Sequence, residues 1–200
     1  MLQQNDIIAL GQLILQFGRI ERATLHEDGI RKETDTDHTV MLGVLGCSIA
    51  QVLYPNLDNG KIAQYALVHD LVEAYAGDTP SFNITKEARI DKDRREHEAL
   101  LSIEYNFASL PWLPGTLKRY ESLGDKEARF VKTLDKCMPK ITHILNEGAY
   151  FKQVGKEKLE MVEFFEKQHA ELSASYGKEF PELMVFIRGI MDMTILKCFG

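Results

Sequence analysis

The sequence predicts an all-α fold, a compact helical bundle in a single domain over residues 1–200. Three observations predict it. Apolar residues recur at three- and four-residue intervals through most of the chain, the interruptions are short clusters rich in Pro, Gly and Asn, and no stretch shows the two-residue alternation of a convincing strand.

The first helix is expected over residues 6–20, where Ile7, Ile8, Leu10, Leu13, Ile14 and Phe17 form one face behind Asn5 or Asp6 as cap. A polar loop follows from His26 to Thr36. Thr36 or Asp37 then caps a second helix reaching about Leu53, with Val40, Met41, Val44 and Leu45 inward. Pro55, Asn56, Asn59 and Gly60 mark a turn. Residues 61–76 are apolar nearly all round, which is the pattern of a buried central helix. Gly77 ends that helix and Asp78-Thr79-Pro80 opens a loop. Residues 86–108 begin with a charge run, from Lys86 to Glu98, that reads as a solvated helix face. The stretch Leu110 to Gly115 breaks the pattern. Helices resume at about 116–123, 126–147, 156–175 and 181–197.

Composition narrows the function. A formal net charge of -6 argues against binding a nucleic-acid backbone and for small-molecule chemistry. No segment has the ~18 uninterrupted apolar residues of a membrane helix, and MLQQNDII lacks the charged start of a secretory signal, so the expectation is a cytoplasmic protein without a membrane partner. Cys47, Cys137 and Cys198 are too few and too scattered for a disulfide framework or a zinc knuckle.

The central helix carries the chemical signal. It is the most apolar segment, yet it holds His69, Asp70 and Glu73, whose spacing lets all three reach one cleft. Buried ionisable groups are costly unless paired or coordinated. His38, near the start of the second helix, and Asp135, on a later amphipathic helix, add a nitrogen and a carboxylate. Two nitrogens and two carboxylates suit a divalent metal such as zinc, cobalt, manganese or iron with open positions for water and substrate. A structural polar network in a helical core is the plain alternative.

The order His38, His69-Asp70, Asp135 resembles the HD-domain phosphohydrolases. Arg31-Lys32-Glu33 before Asp37-His38, then His69-Asp70-Leu71-Val72-Glu73, Gly77-Asp78-Thr79-Pro80, Arg95-Glu96-His97-Glu98-Ala99-Leu100 and Leu134-Asp135-Lys136 resemble the YfbR-like branch of 5'-deoxynucleotidases, over a motif-bearing core of about 5–150. Helices at about 156–197 lie outside it. Within the branch, Arg22-Ala23-Thr24 and Lys132-Thr133-Leu134-Asp135 look closest to phage enzymes that hydrolyse dATP to deoxyadenosine and triphosphate and are associated with 2-aminoadenine DNA. Ala23 stands where the deoxynucleotidase has tryptophan, which disfavours its monophosphate pocket.

The resemblance implies a divalent transition metal (cobalt, zinc or manganese) on His38, His69, Asp70 and Asp135, with magnesium an option at a second site. It implies water activated at that centre attacking the α-phosphorus of a deoxynucleotide, with Glu73 as general acid or proton shuttle. Arg22 would hold a phosphate, with Arg19 as its rival. Lys86 and Lys132 would reach further phosphates, and Asp78 would meet the 3'-hydroxyl. Most lysines are merely solvated, and Asp78 could simply cap its loop. A non-catalytic nucleotide-binding module is the alternative from another class. His97 and His143 lack a visible ligand set for a second metal, and His26 and His169 lack a partner. The branch also implies a homo-oligomer.

Overall fold

The computed structural model describes residues 2–80, 82 and 84–200. It is predominantly helical, as the sequence predicts. The order is α1 (Gln4–Phe17), β1 (Glu21–Leu25), β2 (Lys32–Thr34), α2 (Asp35–Leu53), α3 (Asn59–Val68), α4 (Glu73–Ala76), α5 (Lys86–Asn106), α6 (Trp112–Glu121), α7 (Lys126–Asp135), α8 (Met138–Leu145), α9 (Ala149–Gln153), α10 (Lys158–Tyr176) and α11 (Pro181–Phe199).

Two apolar clusters hold the bundle. Leu42, Ile62, Tyr65, Phe130 and Leu134 join α2, α3 and α7 to the C-terminal helices through Phe180 and Ile187. Leu13, Phe17, Val68, Ile103 and Leu117 tie α1, α5 and α6 to the other end of α3. The α3 segment therefore lies centrally, as its all-round apolar pattern requires. None of the described helices is long and apolar enough to cross a membrane.

The segment expected as a polar loop supplies the turn and second strand of a small antiparallel hairpin whose first strand lies just before it, with Glu21 opposite Thr34 and Leu25 opposite Lys32. Its turn is built locally: Gly29 takes φ 68°, and Asp28 Oδ1 accepts the amides of Ile30 and Arg31 at 2.8 and 2.9 Å. Strands of five and three residues are too short for alternation to show in the sequence.

The expected 61–76 helix is broken. After Val68 the chain tightens into i+3 bonds, Leu71 N to Val68 O at 3.0 Å and Glu73 N to Asp70 O at 2.8 Å, before α4 resumes. The expected 126–147 helix is likewise two helices, because Pro139 enters the first turn of α8 and cannot supply the amide a continuous helix needs. Conversely, Pro114 and Gly115 do not prevent a helix: Pro114 falls in the first turn of α6, where an amide has no helical partner, and the Gly115 amide bonds the Pro111 carbonyl at 3.1 Å.

In α2 the inward stripe is Asp35, His38, Leu42, Gly46 and Ala50, while Val40 and Val44 are 55% and 62% exposed. The stripe is displaced from the expected one because the helix starts earlier. Thr34, not Thr36 or Asp37, is its cap, in a reciprocal box with Asp37.

Candidate metal centre

The capping box fixes which side chains α2 sends inward. Thr34 Oγ1 accepts the Asp37 amide at 3.2 Å, and Asp37 Oδ2 accepts the Thr34 amide at 3.0 Å. His38, a turn further on, is fully buried. Its Nδ1 lies 3.1 Å from Glu33 Oε1 and its Nε2 lies 2.9 Å from Asp135 Oδ1. Burial works against a charged ring here, but the bonds to Asp135 and Glu33 outweigh it and raise the His38 pKa to about 9.

His69 follows the last turn of α3, and its Nδ1 donates to the Ala66 carbonyl at 2.8 Å. The other nitrogen faces carboxylates: Nε2 is 3.0 Å from Asp70 Oδ2 and 3.8 Å from Asp135 Oδ1. Yet Nε2 is buried in an orientation that makes no hydrogen bond. A lone pair held against two carboxylates is repelled unless a proton or a cation lies between them. Donor atoms of His38, His69, Asp70 and Asp135 all fall within 4.8 Å of one another, so one divalent ion would satisfy the four together. Glu33 on His38 Nδ1 and the Ala66 carbonyl on His69 Nδ1 would then orient the two rings. The residues present fit a metal.

Arg22, from β1, reaches the edge of this cluster. Its Nη1 lies 2.9 Å from Asp35 Oδ1, 3.0 Å from Asp70 Oδ2 and 3.9 Å from Glu73 Oε2. Asp35, Asp70 and Glu73 form a second group close enough for an ion, but the guanidinium already supplies positive charge at their centre. Glu73 is 2% exposed. Burial, with Asp70, Asp35 and Asp78 nearby, pushes its pKa up to about 10. Lys92 Nζ stands 3.3 Å from Glu73 Oε1. Asp78 lies in the loop after α4, where Gly77 takes φ 74°. Arg95 braces that loop, bonding the Ala76 carbonyl and, at 2.7 Å, Thr79 Oγ1.

These groups open into a cavity of about 140 Å³. Arg22, Asp70, Glu73, Asp78 and Asp135 line it, so six of the nine expected site residues, counting the buried His38 behind Asp135, gather here, and His69 adjoins them as a seventh. The remaining two do not. Lys86 is exposed in the first turn of α5, outside the lining. Lys132 is half-buried on α7 and acts electrostatically on Glu121. The cavity runs beyond the C-terminal end of α7, so residues after Asp135 enter it and those before do not. Its lysines are Lys92, Lys136, Lys140 and Lys156.

The other histidines divide. His97 is exposed, His26 pairs with Glu27, and His169 Nε2 donates to the Met184 carbonyl at 3.1 Å. His143 lines the cavity but joins no metal-holding group among the described residues.

Lys140 offers a test of this electrostatic picture. Burial lowers its pKa to about 8, with Lys136 pressing in the same direction and Cys137 and Asp135 opposing. Below pH 8 the ammonium is charged in both folded and unfolded chains and its full cost is present. From there toward the ordinary lysine value of 10.5 the unfolded chain holds the extra proton, so stability rises with pH. Lys140→Met is expected to stabilise by about 1–3 kcal/mol at pH 7. That gain should shrink as pH rises through this window, measured by denaturant unfolding of both proteins.

Two histidines and two carboxylates closing on one point of a helical bundle, beside an arginine and a buried glutamate, make a group that could hold a divalent metal. The chain belongs to the HD-domain family, whose model matches residues 16–177. The match runs past the 5–150 core into α10.

Human 5'-deoxynucleotidase HDDC2 is 32% identical over 143 residues, covering 66% of this chain and 64% of that protein. The 5'-deoxynucleotidase hdd1 of Schizosaccharomyces pombe is 34% identical over 116 residues, covering 54% and 56%. The chain thus spans less than two thirds of the length of these relatives. A crystal structure of a protein from Magnetospirillum magnetotacticum, described as a predicted metal-dependent phosphohydrolase, superposes with a TM-score of 0.71 at 22% identity over 97% of each chain, which shows the shared fold.

Proposed function

We propose that the protein is a metal-dependent phosphohydrolase acting on small deoxynucleotides, and that it releases orthophosphate from deoxynucleoside 5'-monophosphates. The carrying observation is His69 Nε2, buried without a hydrogen bond against Asp70 and Asp135 at the wall of a cavity that also presents Arg22 and Glu73. The likeness to 5'-deoxynucleotidases supports the substrate class.

A divalent ion such as cobalt, zinc or manganese, held by His38, His69, Asp70 and Asp135, would supply water activation and polarisation of a phosphoryl oxygen. Arg22 orients the phosphate through guanidinium donors, and is itself aimed by Asp35. Glu73 lies beside the four-residue cluster, not within it, and donates a proton to the departing 5'-oxygen. Asp78 accepts from the sugar hydroxyl. Lys86 and Lys132 are not among the residues that line the cavity, and Lys92 and Lys136, which line it beside Glu73 and Asp135, are the lysines proposed to face the reacting phosphate.

A second reading is hydrolysis of dATP to deoxyadenosine and triphosphate. Lys140 favours it, because it lines the cavity and no ion pair involves it among the described residues. The same proposal includes a homo-oligomer, for which the exposed Ile8 and Leu15 of α1 offer an apolar face.

A product assay separates the readings. Cobalt- or manganese-loaded protein is incubated with the four deoxynucleoside triphosphates and their monophosphates, and products are resolved by chromatography. Orthophosphate from monophosphates is the expected result. Intact triphosphate from dATP alone would establish the second reading, and turnover of neither class would sink both.

A further inference from the structure

Three of the cavity lysines have a carboxylate partner: Lys92 lies 3.3 Å from Glu73, Lys136 2.8 Å from Asp135 and Lys156 2.7 Å from Glu160. Lys140 is different. It is 4% exposed, and no ion pair involves it among the described residues. Its ammonium donates to the Lys136 carbonyl at 2.7 Å and to Gln168 Oε1 at 2.5 Å, and lies 4.9 Å from the centroid of the Phe165 ring. Two neutral acceptors and a ring do not replace water and a counter-ion around a buried cation.

The same wall contains a second incomplete group. His143 is 7% exposed, and its Nδ1 has no hydrogen-bond partner. Burial and the nearby Lys140 lower its pKa to about 3, so the ring is neutral and Nδ1 can carry the proton. Lys136, Lys140 and His143 follow at i, i+4 and i+7, and all three line the cavity. The stripe starts beside Asp135 and leads away from the metal centre along α8. What it leaves unfilled are donors: the third N–H of Lys140 and the imidazole nitrogen. Two unfilled donors on one wall match phosphate oxygens, whereas a base edge presents donors and acceptors together.

We propose that Lys140 and His143 form a subsite for a phosphate group covalently linked to the one at the metal centre, so that the cavity accepts a nucleoside di- or triphosphate. This rests on the reading that the substrate places a phosphate at that centre. Lys136 caps the end of α7 and Lys140 stands in the first turn of α8, yet the Lys140 ammonium reaches the Lys136 carbonyl at 2.7 Å, so the two positions adjoin closely enough for a phosphate chain to bridge them. The linked phosphates supply the missing counter-ion, and Lys136 spans the two positions.

Calorimetry tests this without turnover. Cobalt-loaded wild type, Lys140→Met and Lys140→Gln are each titrated with inorganic tripolyphosphate and, separately, with orthophosphate, and metal retention is checked after each titration. Melting temperatures establish that the variants are folded, and glutamine keeps a polar side chain should methionine disturb the wall. In both variants the tripolyphosphate dissociation constant is expected to rise by about tenfold or more, while that of orthophosphate changes by less than about twofold. Unchanged tripolyphosphate affinity, or an equal loss for orthophosphate, would overturn the subsite. Neither outcome depends on hydrolysis, so failure here leaves the proposed reaction standing, and an inactive protein leaves the subsite standing.

Discussion

Asp135→Asn is expected to lose its metal and, with it, turnover. Asp135 is the point where the centre closes: its carboxylate meets His38 Nε2 at 2.9 Å, Lys136 Nζ at 2.8 Å and His69 Nε2 at 3.8 Å. Removing groups that only orient a ligand costs about 10–100-fold in metal affinity, so loss of a ligand should exceed about 100-fold. Asparagine preserves volume and one oxygen. Alanine would in addition leave His38 and Lys136 without their carboxylate, at a stability cost of roughly 3–5 kcal/mol, and is the poorer choice. Elemental analysis gives the metal content of Asp135→Asn, and circular dichroism shows that the helices persist. A variant that keeps a full equivalent of metal would place the ion elsewhere.

Glu73→Gln is expected to separate chemistry from metal binding. The glutamate is buried between the metal cluster and Lys92, in the cavity where substrate must lie. Glutamine matches its size and still accepts from Lys92, but has no proton to give to a leaving oxygen. Loss of a positioned general acid costs about 10²–10⁴ in rate. The expected protein retains metal and substrate affinity with kcat reduced in that range. Loss of metal together with rate would make Glu73 a ligand, and an unchanged kcat would remove it from the reaction.

The metal centre was legible in the sequence because its residues violate their surroundings. His69, Asp70 and Glu73 interrupt the most apolar segment of the chain, and only coordination or pairing makes such a segment stable. The expected continuous helix is absent, yet the tight turn at 69–72 keeps Asp70 and Glu73 on the cavity side, with His69 adjoining Asp70 and outside the lining.

Glu33 and Asp35 were not found. They are buried at alternate positions where β2 runs into α2, a two-residue period hidden by reading the segment as a loop. The lysines that line the cavity differ from Lys86 and Lys132 for a related reason. Lys132 shares a helix with Asp135, but that helix ends at Lys136, its C-cap, and the cavity takes Lys136 from this junction and Lys140 from the first turn of α8. The stripe 136, 140, 143 was available as i, i+4, i+7 spacing, yet nothing in the sequence says that it faces a cavity. The far wall comes from α10, through Phe165 and Gln168, and contacts so distant in sequence leave no local mark.

The most direct measurement is metal stoichiometry against rate. The protein is stripped with a chelator, dialysed, and titrated with cobalt while metal content and deoxynucleotide hydrolysis are followed on the same samples. The stripped protein is expected to show no turnover, and the rate to rise in proportion to bound cobalt and saturate at about one equivalent per chain. Hydrolysis at full rate by metal-free protein would contradict this, as would a rate that ignores occupancy of the centre formed by His38, His69, Asp70 and Asp135.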